Sequence, residues 1–163
     1  MLERQSPYLD RPGRLADLVA AIQALGSYRY AARKEEKWQQ LLKKPKSAES
    51  WTEIFRDHPE FFRASESDSG MHQLVLRRAQ SAMAHATTAE SINIEAYKAL
   101  SDDDKKEYSR APLNPEQIIS LIDVAIKLQN QAVARRQELR WWIPYLLSIA
   151  SLVVGVVTGI SIK

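Results

Sequence analysis

Cysteine is absent from this 163-residue chain, which excludes disulfides, thiolate zinc sites and cysteine nucleophiles together. Glycine is scarce, with five residues, and the three histidines (His58, His72 and His85) stand at no metal-ligand spacing. Phosphate-cradling loops and histidine metal centres therefore have little material to form from. No HExxH, GxSxG or GxGxxG motif occurs. The expectation is a protein that is not an enzyme and holds no cofactor or metal. What remains is 26% charged and 45% apolar residues with net charge +3, an ordinary globular mixture. The length suits one domain plus an appendage.

Charge is missing altogether from Trp141 to Ile162, a run that reads WWIPYLLSIASLVVGVVTGISI. A bilayer core of about 30 Å takes roughly 20 helical residues, so this run predicts one transmembrane helix over 141–162. Trp141, Trp142 and Tyr145 suit an interfacial aromatic belt. Arg135, Arg136 and Arg140 precede the run and only Lys163 follows it. Positive charge marks the cytoplasmic side. The expectation is a single-pass inner-membrane protein, with the lipid bilayer as a partner and the N-terminal bulk in the cytoplasm. Pro144 predicts a kink near Arg140–Trp142. Ser151, Gly155 and Gly159 recur four apart, a small-residue stripe that lets a second helix approach closely. Self-association into a homo-oligomer through this stripe is expected. A conducting pore is disfavoured, because no ionisable residue lies within the run.

Upstream, Asn114-Pro115-Glu116-Gln117 is a helix start: Asn caps, Pro suits the first helical position and Gln117 can bond back. Ile118, Leu121, Ala125, Leu128, Ala132, Arg135 and Leu139 then recur at alternating steps of three and four. Ile119, Ile122 and Ile126 form a second stripe. This amphipathic lead-in helix, over 114–140, either packs on the N-terminal domain or rises as a parallel bundle.

Behind an N-terminal arm (1–13), Leu15, Leu18, Val19, Ile22 and Leu25 predict a first amphipathic helix beginning after Pro12-Gly13. A second helix is expected from Lys34 to Leu42. A third, opened by the Ser50-Trp51-Thr52-Glu53 capping box, ends at His58-Pro59. Leu74 and Leu76 then fall on one face of a hairpin strand, with Trp51, Phe55, Phe61 and Leu76 expected as a shared core. Three helices followed by a hairpin, and the cluster WxxxFxxHPEFFR from Trp51 to Arg63, resemble winged-helix domains over residues 14–79. The whole chain also resembles uncharacterised bacterial proteins that join such a domain to a C-terminal span, a resemblance that implies no activity. Residues 80–113 read as a linker with one short helix near Ser101 to Tyr108. The expected fold is thus mainly α: a winged-helix-like domain of three helices plus a β-hairpin, then a long helix leading into one C-terminal transmembrane helix.

In helix-turn-helix proteins the motif's second helix faces a dense phosphate field. The equivalent segment here carries Glu53 and Asp57 against only Arg56, so nucleic acid is disfavoured as a partner. Arg33, Lys34, Lys37, Lys43, Lys44 and Lys46 form a candidate patch for an anionic surface. The favoured function is a membrane-anchored, cytoplasm-facing module that self-associates and recruits or senses an unknown protein partner. The rivals are a membrane-tethered nucleic-acid binder and a membrane-perturbing effector of a toxic or phage-defence system.

Overall fold

Gly13 turns the chain into its first helix with φ of 84°, a left-handed conformation that glycine adopts without steric cost. That helix, α1 (Arg14–Ser27), places Leu18, Ala21, Ile22 and Leu25 on one buried face. The chain continues through β1 (Arg33–Lys34), α2 (Glu35–Leu42), α3 (Trp51–Asp57), β2 (Phe62–Ala64), β3 (Met71–Leu74) and α4 (Val75–Arg78). Then come β4 (Met83–His85), β5 (Ser91–Ile92), α5 (Ile94–Ala99), α6 (Asp102–Lys105), β6 (Tyr108–Arg110) and α7 (Pro115–Glu138). This computed structural model describes residues 6–64, 70–138, 144–149 and 151.

The core lies between α1, α3, the first sheet and α7. Trp38, Trp51, Ile54, Phe55, Phe61, Phe62 and Leu74 are buried in it. Trp51 stacks on Phe55 with ring centroids 6.2 Å apart, and Phe55 meets Phe62 at 4.8 Å. Each such ring contributes roughly 1.5–3 kcal/mol by leaving water. Leu76, expected in the same cluster, is half-buried against it.

Buried polar bonds set the helix positions. The Asp17 carboxylate accepts from both the backbone N–H and the hydroxyl of Ser47, each at 2.6 Å, pinning the loop after α2 to α1. Glu35 on α2 accepts from the Trp51 backbone N–H at 3.2 Å and from the Thr52 hydroxyl. It thereby satisfies one first-turn N–H that α3 could not satisfy itself. Ser50 caps α3 through the Glu53 N–H at 3.2 Å, while the Glu53 side chain accepts from the N–H of Glu49.

Two three-stranded antiparallel sheets correct the expectation of a mainly α chain with a lone hairpin. In the first, of order β1-β3-β2, the two-residue β1 joins the hairpin, pairing Arg33 with His72. The second, of order β5-β4-β6, occupies residues 80–113, where a linker was expected. The hairpin strand also ends early. At Val75 the chain turns helical, so Leu74 and Leu76 do not share a strand face.

The expected transmembrane helix over 141–162, and with it the single-pass inner-membrane placement, is corrected as well. Among the described residues no helix is long and apolar enough to cross a membrane. The helical stretch 144–149 has a length of about 9 Å, under a third of a bilayer core of about 30 Å. Residues 139–143, 150 and 152–163 lie outside the described residues, and with them Arg140, Trp141, Trp142, Gly155, Gly159 and the expected kink.

Candidate functional site

Helix α7 is the longest helix among the described residues. It opens with the expected cap: Asn114 Oδ1 accepts from the Gln117 N–H at 2.8 Å, and Gln117 Oε1 accepts from the Asn114 N–H at 3.1 Å. It begins where α1 ends, since the Leu113 N–H donates to the Gly26 carbonyl at 2.9 Å. A Cβ on Gly26 would stand 3.0 Å from Ile118 Cγ1, so the missing side chain sets how closely the two helices approach. From there α7 runs back along α1, packing Ile118, Leu121, Ile122, Ala125, Leu128 and Ala132 on the core. With 24 residues against 14 in α1, it outruns its partner, and residues 133–138 are all exposed.

The second stripe is left bare only in part, since Ile122 packs on the core while Ile119 and Ile126 do not. Ile119 is 57% exposed, Ile126 39% and Val133 38%, three β-branched side chains at intervals of seven. Seven residues are close to two helical turns, so the three stand in one row. Asp123 and Lys127 flank the row, with Glu116 near one end of α7 and Arg135 and Arg136 in its last turn.

The candidate anionic-surface residues are divided in their engagements. Arg33 lies over the Tyr28 ring at 4.4 Å and the Tyr30 ring at 5.2 Å. Lys44 pairs with Glu49 at 3.0 Å. Lys34, Lys37, Lys43 and Lys46 are exposed, on β1, α2 and the loop behind it. Of the expected interface anchors, Arg135 and Arg136 are exposed on α7 and Tyr145 is exposed in 144–149. Ser151 donates from its hydroxyl to the Ser148 carbonyl at 2.8 Å.

Several polar clusters, invisible in the sequence, have the residue types of catalytic sites, with their polar atoms engaged in structural contacts. A cavity of about 280 Å³ is lined by His85, Leu100, Asp104, Glu107 and Tyr108. His85 Nδ1 accepts from the N–H groups of Thr87 and Thr88 at 3.3 and 3.2 Å, which leaves the proton on Nε2 to donate to Glu107 at 2.8 Å. Both ring nitrogens are thus engaged in holding the β4–β5 turn, and neither is free to take a substrate proton. Tyr8 donates to Glu60, and His58 Nδ1 stands 3.2 Å from the same carboxylate. His58 is fully buried beneath the Tyr8 ring, so this trio clamps the N-terminal arm onto the end of α3. The buried Arg14 gathers Asp10, Glu53 and Asp57 at 3.8, 3.6 and 3.5 Å, in ion-pair rather than hydrogen-bond range. Among the described residues no group of three His, Cys, Asp or Glu side chains is placed to hold a metal ion.

No family model, curated protein or solved structure matches this chain.

Proposed function

We propose that this protein is a non-catalytic interaction module whose recognition surface is the bare stripe of α7. The alignment of Ile119, Ile126 and Val133 on one exposed row carries this reading. Scattered surface apolar residues are ordinary, whereas an aligned apolar row beside a packed face marks a helix with a further contact to make. The engaged nitrogens of His85 and the burial of His58 support a module without catalysis. Nucleic-acid reading is disfavoured, because α3 is only seven residues long and Arg56 is its one basic residue.

Site-specific photo-crosslinking in cells tests the proposal. A photoreactive residue at Ile119, Ile126 or Val133 should give a discrete covalent adduct, and one at the exposed Gln131, on another face of α7, should not. Adducts no more abundant along the stripe than at Gln131 would remove the stripe as the recognition surface.

A further inference from the structure

We infer that the occupant of the α7 stripe is a second copy of this chain, paired antiparallel about Ile126; this rests on the stripe being a recognition surface. The register follows from the sequence of the helix. When two copies of α7 run in opposite directions with Ile126 facing its own copy, Ile119 of each lies opposite Val133 of the other. The three side chains of the row are then covered at once, while Val124, 43% exposed on another face of α7, stays outside the contact, and the interface is self-complementary, as two-fold symmetry requires.

Charge selects the direction. In a two-fold antiparallel pair the same flank of each helix meets. Asp123 and Lys127 lie on one flank of the row, four residues apart on either side of Ile126's level. Reversal brings the Lys127 of each copy alongside the Asp123 of the other, giving two symmetric ion pairs. It also sets the acidic first half of each α7, with Glu116 and Asp123, beside the basic second half, with Lys127, Arg135 and Arg136. A parallel pair would instead stack each basic end on its own copy. The overhang past Ala132 has a place in the antiparallel arrangement, since Val133 and the last turn reach alongside the partner's first half. An interface carried by three apolar layers is short for a coiled coil, so the affinity belongs in the micromolar range.

The absence of native cysteine makes the register directly readable, because any disulfide must come from introduced thiols. In the full-length protein under mild oxidation, Ile126→Cys alone should yield a disulfide-linked dimer. Ile119→Cys alone and Val133→Cys alone should not, but a mixture of the two should. Ile126→Glu, which faces its own copy across the axis, should weaken association at least about tenfold in sedimentation equilibrium while leaving the melting midpoint unchanged. Self-crosslinking of Ile119→Cys and Val133→Cys would overturn the antiparallel register. Failure of Ile126→Cys to crosslink, in a protein that sediments as a monomer at micromolar concentration, would overturn self-pairing altogether. Photo-adducts to a different protein, without the Ile126 disulfide, would sink self-pairing and leave the interaction module standing; an absence of both would sink both.

Discussion

Arg77 donates from Nη1 to the carbonyl oxygen of Leu25 at 2.8 Å, closing the last turn of α1 with a cation that lies 52 residues further along the chain. The same guanidinium donates to the carbonyls of Arg29 at 3.0 Å, Tyr30 at 3.4 Å, Arg110 at 2.8 Å and Ala111 at 3.2 Å. It is fully buried, and burial pulls its pKa down to about 10, still high enough to keep it charged at neutral pH. Carbonyl dipoles at a helix C-terminus and along an edge strand are natural partners for such a cation. The second sheet buries little of its own beyond Met83 and Ala84, so this anchor supplies much of what holds it to the body.

Replacing Arg77 with Lys should therefore not be conservative. An ammonium has three donors at one point and cannot span five carbonyls on three segments. Arg77→Lys and Arg77→Met should each cost about 3–5 kcal/mol, because several buried carbonyls lose their donor at once. Differential scanning calorimetry checks this, and a melting midpoint within a degree or two of the parent would show that the network is dispensable.

Lys43 should be a site of gain. Its φ of 62° and ψ of −172° lie in a region that essentially only glycine adopts, where a side chain costs of order 1–3 kcal/mol. The Trp51 indole N–H donates to the Lys43 carbonyl at 2.6 Å and helps hold that conformation. Lys43→Gly keeps that bond and removes the strain, so it should stabilise the protein by about 1 kcal/mol. An unfolding titration in urea that shows a lower midpoint for the variant would contradict this.

Trp51 itself is buried between α3 and α2 with its indole N–H engaged. Trp51→Ala should cost about 3–5 kcal/mol, a large share of the roughly 5–15 kcal/mol available to a domain of this size. Low soluble yield and an early thermal transition are expected; a melting curve equal to the parent's would place the indole outside the core.

Acid should loosen the N-terminal arm. Burial pushes the Glu60 carboxyl up, but the bonds from His58, Tyr8 and its own backbone N–H, together with the His58 charge, bring the net value below the usual carboxylate range. The Tyr8 hydroxyl is driven far above its ordinary value by burial and then by Glu60. Because the folded Glu60 value is depressed, its stabilisation is complete above the ordinary carboxylate value of 4.5 and is lost as pH falls through the lower folded value. The arm should thus release in that acid window. Glu60→Gln should flatten this part of the stability–pH curve, and an unchanged slope would assign the acid sensitivity to other carboxylates.

The long periodic helices were legible in the chain itself, and the short pieces were not. The apolar rows of α1 and α7 and the caps at Ser50 and Asn114 carry enough repeated signal to place the starts of α1, α3 and α7. Strands such as Arg33–Lys34 and Ser91–Ile92 are too brief to alternate, and exist only because a neighbouring strand offers them hydrogen bonds. Arg77 carries no mark of its burial in the sequence. The early switch into α4 turned it inward, and nothing local announces that five carbonyls await it. Ile119, Ile122 and Ile126 were readable as a second stripe. Which of them stays bare depends on α1 covering Ile122 and missing the others, a fact of packing rather than of periodicity.

The pairing of α1 with α7 also sets an order of events during synthesis. Gly26 meets Ile118, a partner 92 residues downstream. At about 5–20 residues per second the ribosome delivers that partner roughly 5–20 s after α1 has emerged. During that interval the part of α1 destined for α7 faces water with Leu18, Ile22 and Leu25 incompletely covered. The first helix made is consequently among the last to be sealed.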